Sequence, residues 1–116
     1  MTRRIVILGS TGSIGTQALD VVTEAIGGEH PLRVVGLSAG SSWQQVVTQA
    51  SAFDVHNIFL ADAGASALAR DAVDGAGVAV IHVCADIGEL LDRTEPDLVL
   101  NAVVGFAGLE TTILAL

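Results

Sequence analysis

Short apolar runs alternate with helical stretches along the whole chain. The first run, residues 5–8, is continuous and ends at Gly9, which is typical of a strand buried on both faces of a parallel sheet. Residues 13–26 then carry apolar side chains at helical spacing and are followed by a glycine pair, which predicts a helix and its end. Later apolar runs predict four more strands, at residues 33–38, 56–60, 78–83 and 98–101.

Helices are predicted between these strands. They cover residues 42–53, with Ser41 or Ser42 as N-cap, residues 62 to about 73, with Asp62 as N-cap, and residues 86–93. A turn is predicted at residues 74–77, and a further helix opens near Leu109. This alternation of strands and helices predicts right-handed crossovers and an α/β fold, a Rossmann-like doubly wound parallel sheet. We expect the sheet to be truncated and residues 1–116 to be the front part of a longer protein.

Composition and charge narrow the function classes. The chain of 116 residues is 51% hydrophobic and 16% charged, which is typical of one globular domain. Its net charge is −8 and all five of its basic residues are arginines, which argues against a nucleic-acid surface. The single cysteine, Cys84, lies in an apolar run, so a buried structural thiol and a reducing cytoplasm are expected. No signal peptide or membrane span is apparent.

The turn after the first strand carries the clearest chemistry. Its seven residues, from Gly9 to Gly15, have the spacing G-x-x-G-x-x-G between a predicted strand and a predicted helix. Such a turn points backbone N–H groups and the positive end of a helix dipole at one spot, where a pyrophosphate fits. Gly12 allows close approach of the ligand, and Gly15 lets the helix pack on the strand. Thr11 and Ser13 add hydroxyl donors. The alternative is a purely structural glycine turn.

The end of the second strand indicates which cofactor is bound. NAD sites usually have an acid there for the ribose hydroxyls, whereas this segment ends in Gly40, Ser41 and Ser42. Without a carboxylate to repel a 2′-phosphate, hydroxyls and backbone donors favour NADP(H). Arg33 lies at the far end of the strand, so no cation is expected nearby. Ser41 and Ser42 serve equally well as plain helix caps.

Catalytic chemistry is not visible in the sequence. The three histidines are far apart, no metal-ligand spacing is present, and no nucleophile has a base beside it, so we expect no catalytic and no metal-binding residues in this chain. The small residues that follow Asn101 leave room for a nicotinamide or ribose at the end of the fifth strand, or else form a tight turn.

Three segments together resemble one enzyme family. They are I-L-G-S-T-G-S-I-G-T-Q-A-L-D-V-V from Ile7, V-V-G-L-S-A-G from Val34, and N-A-V-V-G from Asn101 with a Gly-Leu pair at 108–109. The chain resembles the N-terminal part of 1-deoxy-D-xylulose 5-phosphate reductoisomerase, over its whole length.

The resemblance implies the N-terminal NADPH-binding domain of an enzyme of the non-mevalonate isoprenoid route. Such enzymes rearrange 1-deoxy-D-xylulose 5-phosphate and reduce the product to 2-C-methyl-D-erythritol 4-phosphate. They use Mg²⁺, Mn²⁺ or Co²⁺ and are typically cytosolic homodimers, without nucleic-acid or membrane partners. The phosphates of NADPH would be held by four residues of the turn, and the 2′-phosphate by three after the second strand: Thr11, Gly12, Ser13 and Ile14, then Gly40, Ser41 and Ser42.

The same resemblance places the catalytic and C-terminal domains, with the substrate and metal residues, beyond Leu116. The chain alone is therefore expected to be inactive. Two other functions remain open. One is the cofactor domain of another NADPH-dependent reductase, such as a semialdehyde dehydrogenase, for which Cys84 is badly placed as the nucleophile. The other is a non-catalytic NADP(H)-binding regulatory module.

Overall fold

The alternation of strands and helices predicted from the sequence is confirmed. The computed structural model describes residues 3–25, 32–75, 81–102, 104–105, 108–109 and 112–115. The strands are β1 (Arg3–Leu8), β2 (Leu32–Ala39), β3 (Asn57–Leu60), β4 (His82–Cys84), β5 (Leu98–Asn101), β6 (Val104–Gly105), β7 (Gly108–Leu109) and β8 (Thr112–Ala115). The helices are α1 (Ser13–Ala25), α2 (Trp43–Ala52), α3 (Ala63–Gly75) and α4 (Ile87–Thr94).

Most element boundaries agree with the predictions to within two residues. Helix α3 continues through Gly75, where a turn was predicted, a difference within the ordinary uncertainty of helix ends. Ile26 at the predicted end of the first helix, and residues 78–80 at the predicted start of the fourth strand, lie outside the described residues. No helix in the described part of the chain is long and apolar enough to span a membrane.

Five parallel strands form most of the main sheet, in the order β4-β3-β2-β1-β5. The chain moves outward from β1 to β4 and then returns to the other side of β1 for β5. This reversal is the switch point of a doubly wound sheet, and ligands of such sheets lie beyond the carboxyl ends of the strands there. The carboxyl ends of β1 and β5 lie side by side at this point.

The two faces of the sheet have separate cores. One face is covered by α1, α2 and α3, and its core includes Ile7, Leu37 and Ile58. The other is covered by α4, whose Leu90 packs with Val6, Val99 and Cys84. Because neighbouring residues of a strand point to opposite faces, Val6 and Ile7 belong to different cores. Burial on both faces explains why the strands are continuous apolar runs.

The prediction of a helix that opens near Leu109 is wrong. Leu109 pairs with Val104 in a short antiparallel ribbon, and β8 pairs antiparallel with the outer edge of β5 as a sixth strand of the main sheet. The open edge of β5 offers a row of backbone hydrogen-bonding groups, and the β-branched Thr112 and Ile113 favour an extended backbone. The apolar run therefore forms a strand that pairs with β5 and not a helix.

Candidate cofactor site

The turn after β1 is fixed to the end of β2 by backbone hydrogen bonds. The N–H groups of Gly9 and Ser10 both donate to the carbonyl oxygen of Ser38, at 3.0 and 2.9 Å, and the Ser38 hydroxyl also accepts from the Gly9 N–H at 3.2 Å. Gly9 has φ 79°, a left-handed conformation that favours glycine. The chain therefore turns sharply at the point where β1 ends.

The three glycines of the turn have different roles. A Cβ atom at Gly15 would lie 2.3 Å from the Gly9 carbonyl oxygen and 2.6 Å from the Ser10 Cα, so α1 packs directly on the turn only because residue 15 is glycine. This close packing was predicted from the sequence and is confirmed. Among the described residues, a Cβ at Gly12 would meet only the Gly9 carbonyl oxygen, at an ordinary 3.7 Å. The left-handed backbone explains Gly9 and close packing explains Gly15, but the described part of the chain gives no packing reason for glycine at position 12.

Helix α1 begins immediately after Gly12. The Gly12 carbonyl accepts both the backbone N–H and the hydroxyl of Thr16, at 2.9 and 3.0 Å, so the helix is continuous with the turn. The first N–H groups of a helix have no acceptor within it, and they point out of its N-terminus together with the positive end of the dipole. Thr11 is half-buried beside this opening. The side chains of Ser13 and Ile14 lie outside the described part of the structure.

A long-range contact with α2, which was not predicted from the sequence, also holds the turn in place. The Ser10 side chain is fully buried, and its hydroxyl donates to Gln49 Oε1 at 2.8 Å. Gln49 Nε2 in turn donates to the Ser10 carbonyl at 3.0 Å. Gln49 belongs to α2 and is 39 residues away in the chain, so no local pattern could have indicated this pair.

The loop after β2 lies at the same edge of the sheet. Its Gly40 carbonyl accepts the Asp62 N–H at 2.9 Å, and a Cβ atom at Gly40 would have no heavy atom of the described residues within 4 Å. Ser41 and Ser42 are exposed. Ser42 is the N-cap residue of α2 by position, but its side chain makes no capping hydrogen bond. Both serines line a shallow cavity of about 290 Å³ with Trp43.

The segment after β5 also reaches this edge. The Ala102 N–H donates to the Leu8 carbonyl at 2.8 Å, which places Ala102 beside the residue that precedes the turn. The space predicted for a nicotinamide concerns residues 103–109, and their side chains lie outside the described part of the structure. That part of the prediction remains open.

A cavity of about 530 Å³ lies at the opposite edge of the sheet and is lined by Arg4, Arg33 and Arg93. Two of these side chains already have partners. Arg4 donates to the Thr94 carbonyl at the end of α4, and Arg93 donates from Nε to Asn57 Oδ1 at 2.8 Å. Cations are favoured near the negative end of a helix dipole, so this cluster complements the C-terminus of α4. We therefore do not assign the phosphate site to this larger cavity.

One group of three potential metal ligands forms among the described residues. Atoms of His82, Cys84 and Glu89 lie within 4.8 Å of one another. However, Glu89 Oε1 accepts the Ala85 N–H at 2.7 Å, and the Glu89 N–H donates to Asp86 Oδ1 at 2.7 Å. These bonds cap α4. Burial raises the pKa of the Cys84 thiol to about 11, which disfavours the thiolate that a metal needs. We assign the group to the cap of α4.

Comparisons with known proteins agree with this fold. The family model for 1-deoxy-D-xylulose 5-phosphate reductoisomerase matches residues 5–116. A reductoisomerase of that name from Mycobacterium leprae is 41% identical over 114 residues, which are 97% of this chain and 26% of the relative. A crystal structure of DOX-P reductoisomerase with magnesium has a TM-score of 0.77 and 27% identity, over 93% of this chain and 26% of that one.

A second crystal structure of DOX-P reductoisomerase, in complex with NADPH, fosmidomycin and magnesium, has a TM-score of 0.74 and 28% identity over 91% of this chain and 26% of the other. The chain thus spans about a quarter of the length of the relatives it matches. Since the family model covers nearly the whole chain, the chain belongs to the 1-deoxy-D-xylulose 5-phosphate reductoisomerase family.

Proposed function

We propose that this chain binds NADPH at the carboxyl edge of its sheet, with the pyrophosphate on the turn between β1 and α1. The observation that carries the proposal is the open space at Gly12, where packing among the described residues does not require glycine. A glycine that the fold does not need, next to a helix N-terminus, suits close approach of a phosphate to the backbone. The similar reductoisomerase structure in complex with NADPH supports the same ligand class.

The residues proposed for the two ends of the cofactor lie on different loops. Backbone groups of Thr11, Gly12, Ser13 and Ile14 would hold the pyrophosphate, and Gly40, Ser41 and Ser42 would surround the 2′-phosphate. The hydroxyl of Ser42 is free of a capping bond, and no acid stands in the first turn of α2 to repel the phosphate. Hydrogen bonds from these groups would then hold the 2′-phosphate, since no cationic side chain is expected near this loop.

For the whole protein we propose the NADPH-dependent rearrangement and reduction of 1-deoxy-D-xylulose 5-phosphate to 2-C-methyl-D-erythritol 4-phosphate. Bound NADPH supplies the hydride, and this chain's residues hold the cofactor's phosphates. The phosphorylated sugar, the divalent metal, the homodimer and a cytoplasmic location are part of the same proposal. No catalytic or metal-binding role is assigned to residues of this chain.

Paired calorimetric titrations with NADPH and NADH test cofactor binding, after circular dichroism has established folding. We expect NADPH to bind at least about tenfold more tightly than NADH. Equal affinity would contradict the 2′-phosphate site, and no binding by the folded protein would contradict the cofactor site as a whole. Turnover of 1-deoxy-D-xylulose 5-phosphate by the product of the whole reading frame, followed by NADPH oxidation, tests the activity.

A further inference from the structure

Two residues from separate elements hold Ser10 in place. Ser38 at the end of β2 accepts the Ser10 N–H at 2.9 Å, while Gln49 of α2 accepts the Ser10 hydroxyl and donates to the Ser10 carbonyl. The Ser10 side chain is inaccessible to solvent, so its polar groups depend on these partners and not on water. Ser38 also accepts the Ser10 hydroxyl, at 3.4 Å, but among the described residues Gln49 alone contacts both the side chain and the carbonyl group of Ser10.

We propose that Gln49 is a positioning residue for the cofactor phosphates, acting through the backbone of the turn. The proposal rests on the cofactor site proposed above. The Ser10 carbonyl belongs to the peptide group whose N–H is that of Thr11, so the amide of Gln49 fixes the plane of the peptide that leads into Gly12. A change of that plane re-aims the Thr11 N–H and shifts the N–H groups that follow.

Flexibility on either side of Ser10 makes such a constraint useful. Gly9 and Gly12 flank the fixed residues, and glycine has more accessible backbone conformations than any other residue. Without the Gln49 contacts, the turn is held by Ser38 from one side and by the packing of Gly15 from the other. A site built from backbone N–H groups is effective only while those groups are pre-organised.

Helix α2 also connects the two halves of the proposed site. Ser42 precedes its first residue and belongs to the proposed 2′-phosphate site, whereas Gln49 lies near its other end and holds the turn. One rigid helix therefore sets both loops. The two halves of the site can be tested separately with adenosine 2′-monophosphate, a ligand that has the 2′-phosphate but no pyrophosphate.

The test compares Gln49→Met, which keeps the length of the side chain but removes both hydrogen bonds, with Thr48→Ala on the exposed side of the same helix. Dissociation constants for NADPH and for adenosine 2′-monophosphate are measured by calorimetry on the product of the whole reading frame. We expect Gln49→Met to weaken NADPH about tenfold and adenosine 2′-monophosphate by less than about twofold. Thr48→Ala should change neither.

Three results would overturn the proposal, and they are distinguishable. If the unmodified protein binds NADPH and Gln49→Met binds it equally well, Gln49 does not position the phosphates. If Gln49→Met weakens both ligands equally, the residue supports the fold in general. If the unmodified protein is folded but does not bind NADPH, the proposed cofactor site itself is wrong. Gln49→Glu is a second variant, since it keeps the acceptor for the Ser10 hydroxyl and should weaken NADPH without abolishing folding.

Discussion

The N-termini of the four helices differ in what occupies them. Helices α3 and α4 have carboxylates from their own sequence: Asp62 Oδ2 accepts the Ala65 N–H at 2.8 Å, and Asp86 Oδ1 accepts the Glu89 N–H at 2.7 Å. Helices α1 and α2 follow Gly12 and Ser42 instead of an acid and have no acidic residue in the first turn, and Ser42 makes no capping bond from its side chain. All four N-termini follow strands at the same edge of the sheet.

This difference separates structural helix ends from ends that suit an external anion. A carboxylate at a helix N-terminus satisfies the exposed N–H groups and adds negative charge, so it stabilises the helix and repels a phosphate. Helices α1 and α2 begin at the ends of β1 and of its neighbour β2, and N-termini without a carboxylate cap suit the phosphates of a dinucleotide. The arginine cluster at the opposite edge is also occupied by a structural partner, because its positive charges lie near the C-terminus of α4.

Alanine substitutions at two glycines of the turn should have the largest effects, one on stability and the other on NADPH binding. Gly15→Ala should destabilise the fold by about 2 kcal/mol or more, because the new methyl group would lie within 2.3 Å of the Gly9 carbonyl oxygen. Gly12→Ala should leave the free energy of unfolding unchanged within about 0.5 kcal/mol and weaken NADPH at least about tenfold. Urea unfolding and calorimetry measure the two quantities. Normal NADPH binding by Gly12→Ala would show that the open space at residue 12 is not used by the ligand.

Adding carboxylates at the N-terminus of α2 should make it similar to the N-termini of α3 and α4, which have acidic caps. The double variant Ser41→Asp with Ser42→Asp should lose its preference for NADPH over NADH, a change of about tenfold in the ratio of dissociation constants. The physical reason is repulsion between the new charges and the 2′-phosphate. Ser51→Asp, on an exposed position of the same helix, is the matched control. An unchanged ratio in the double variant would place the 2′-phosphate elsewhere.

Removing a cap should affect stability at α4 but not at α2. Asp86→Ala removes the acceptor of the Glu89 N–H and should cost about 1 kcal/mol in the free energy of unfolding. Ser42→Ala should cost less than about 0.5 kcal/mol, because its side chain makes no capping bond. Chemical denaturation of both variants checks the difference. Equal losses would mean that Ser42 is an ordinary structural cap.

The smallest effect is a pH dependence at the cap of α4. The Ala85 N–H and, to a lesser degree, His82 lower the pKa of Glu89 below its ordinary value of 4.5. A group whose pKa is lower in the folded state contributes stability above its unfolded pKa and loses it as the pH falls through the folded pKa. The difference in melting temperature between the unmodified protein and Glu89→Gln should therefore shrink below pH 4.5. A difference that is independent of pH would contradict this role of the carboxylate.

Local features of the fold and site could be predicted from the sequence. The strand that ends at Gly9, the close packing of Gly15, the cap at Asp62 and the burial of Cys84 each follow from a pattern within a few residues, and the structure confirms them. The sequence also indicates that Arg33 is far from the loop after β2, and it lines the cavity at the opposite edge.

Features that depend on distant partners could not be predicted. Gln49 and Ser38 reach the turn from positions 39 and 28 residues away, so their role follows from the way the sheet brings α2 and β2 beside β1. The grouping of His82 with Glu89 depends in the same way on β4 meeting α4. The error near Leu109 has a related cause, since an apolar run is compatible with a helix or a strand until the open edge of β5 decides between them.

Hydrogen–deuterium exchange with and without NADPH would locate the bound dinucleotide. We expect NADPH to slow amide exchange in residues 9–16 and in residues 40–46, at the N-termini of α1 and α2. Exchange at the N-termini of α3 and α4, and in peptides that contain Arg33 and Arg93, should not change. Protection at the arginine cluster, with none in residues 9–16, would show that the cofactor does not bind at the turn after β1.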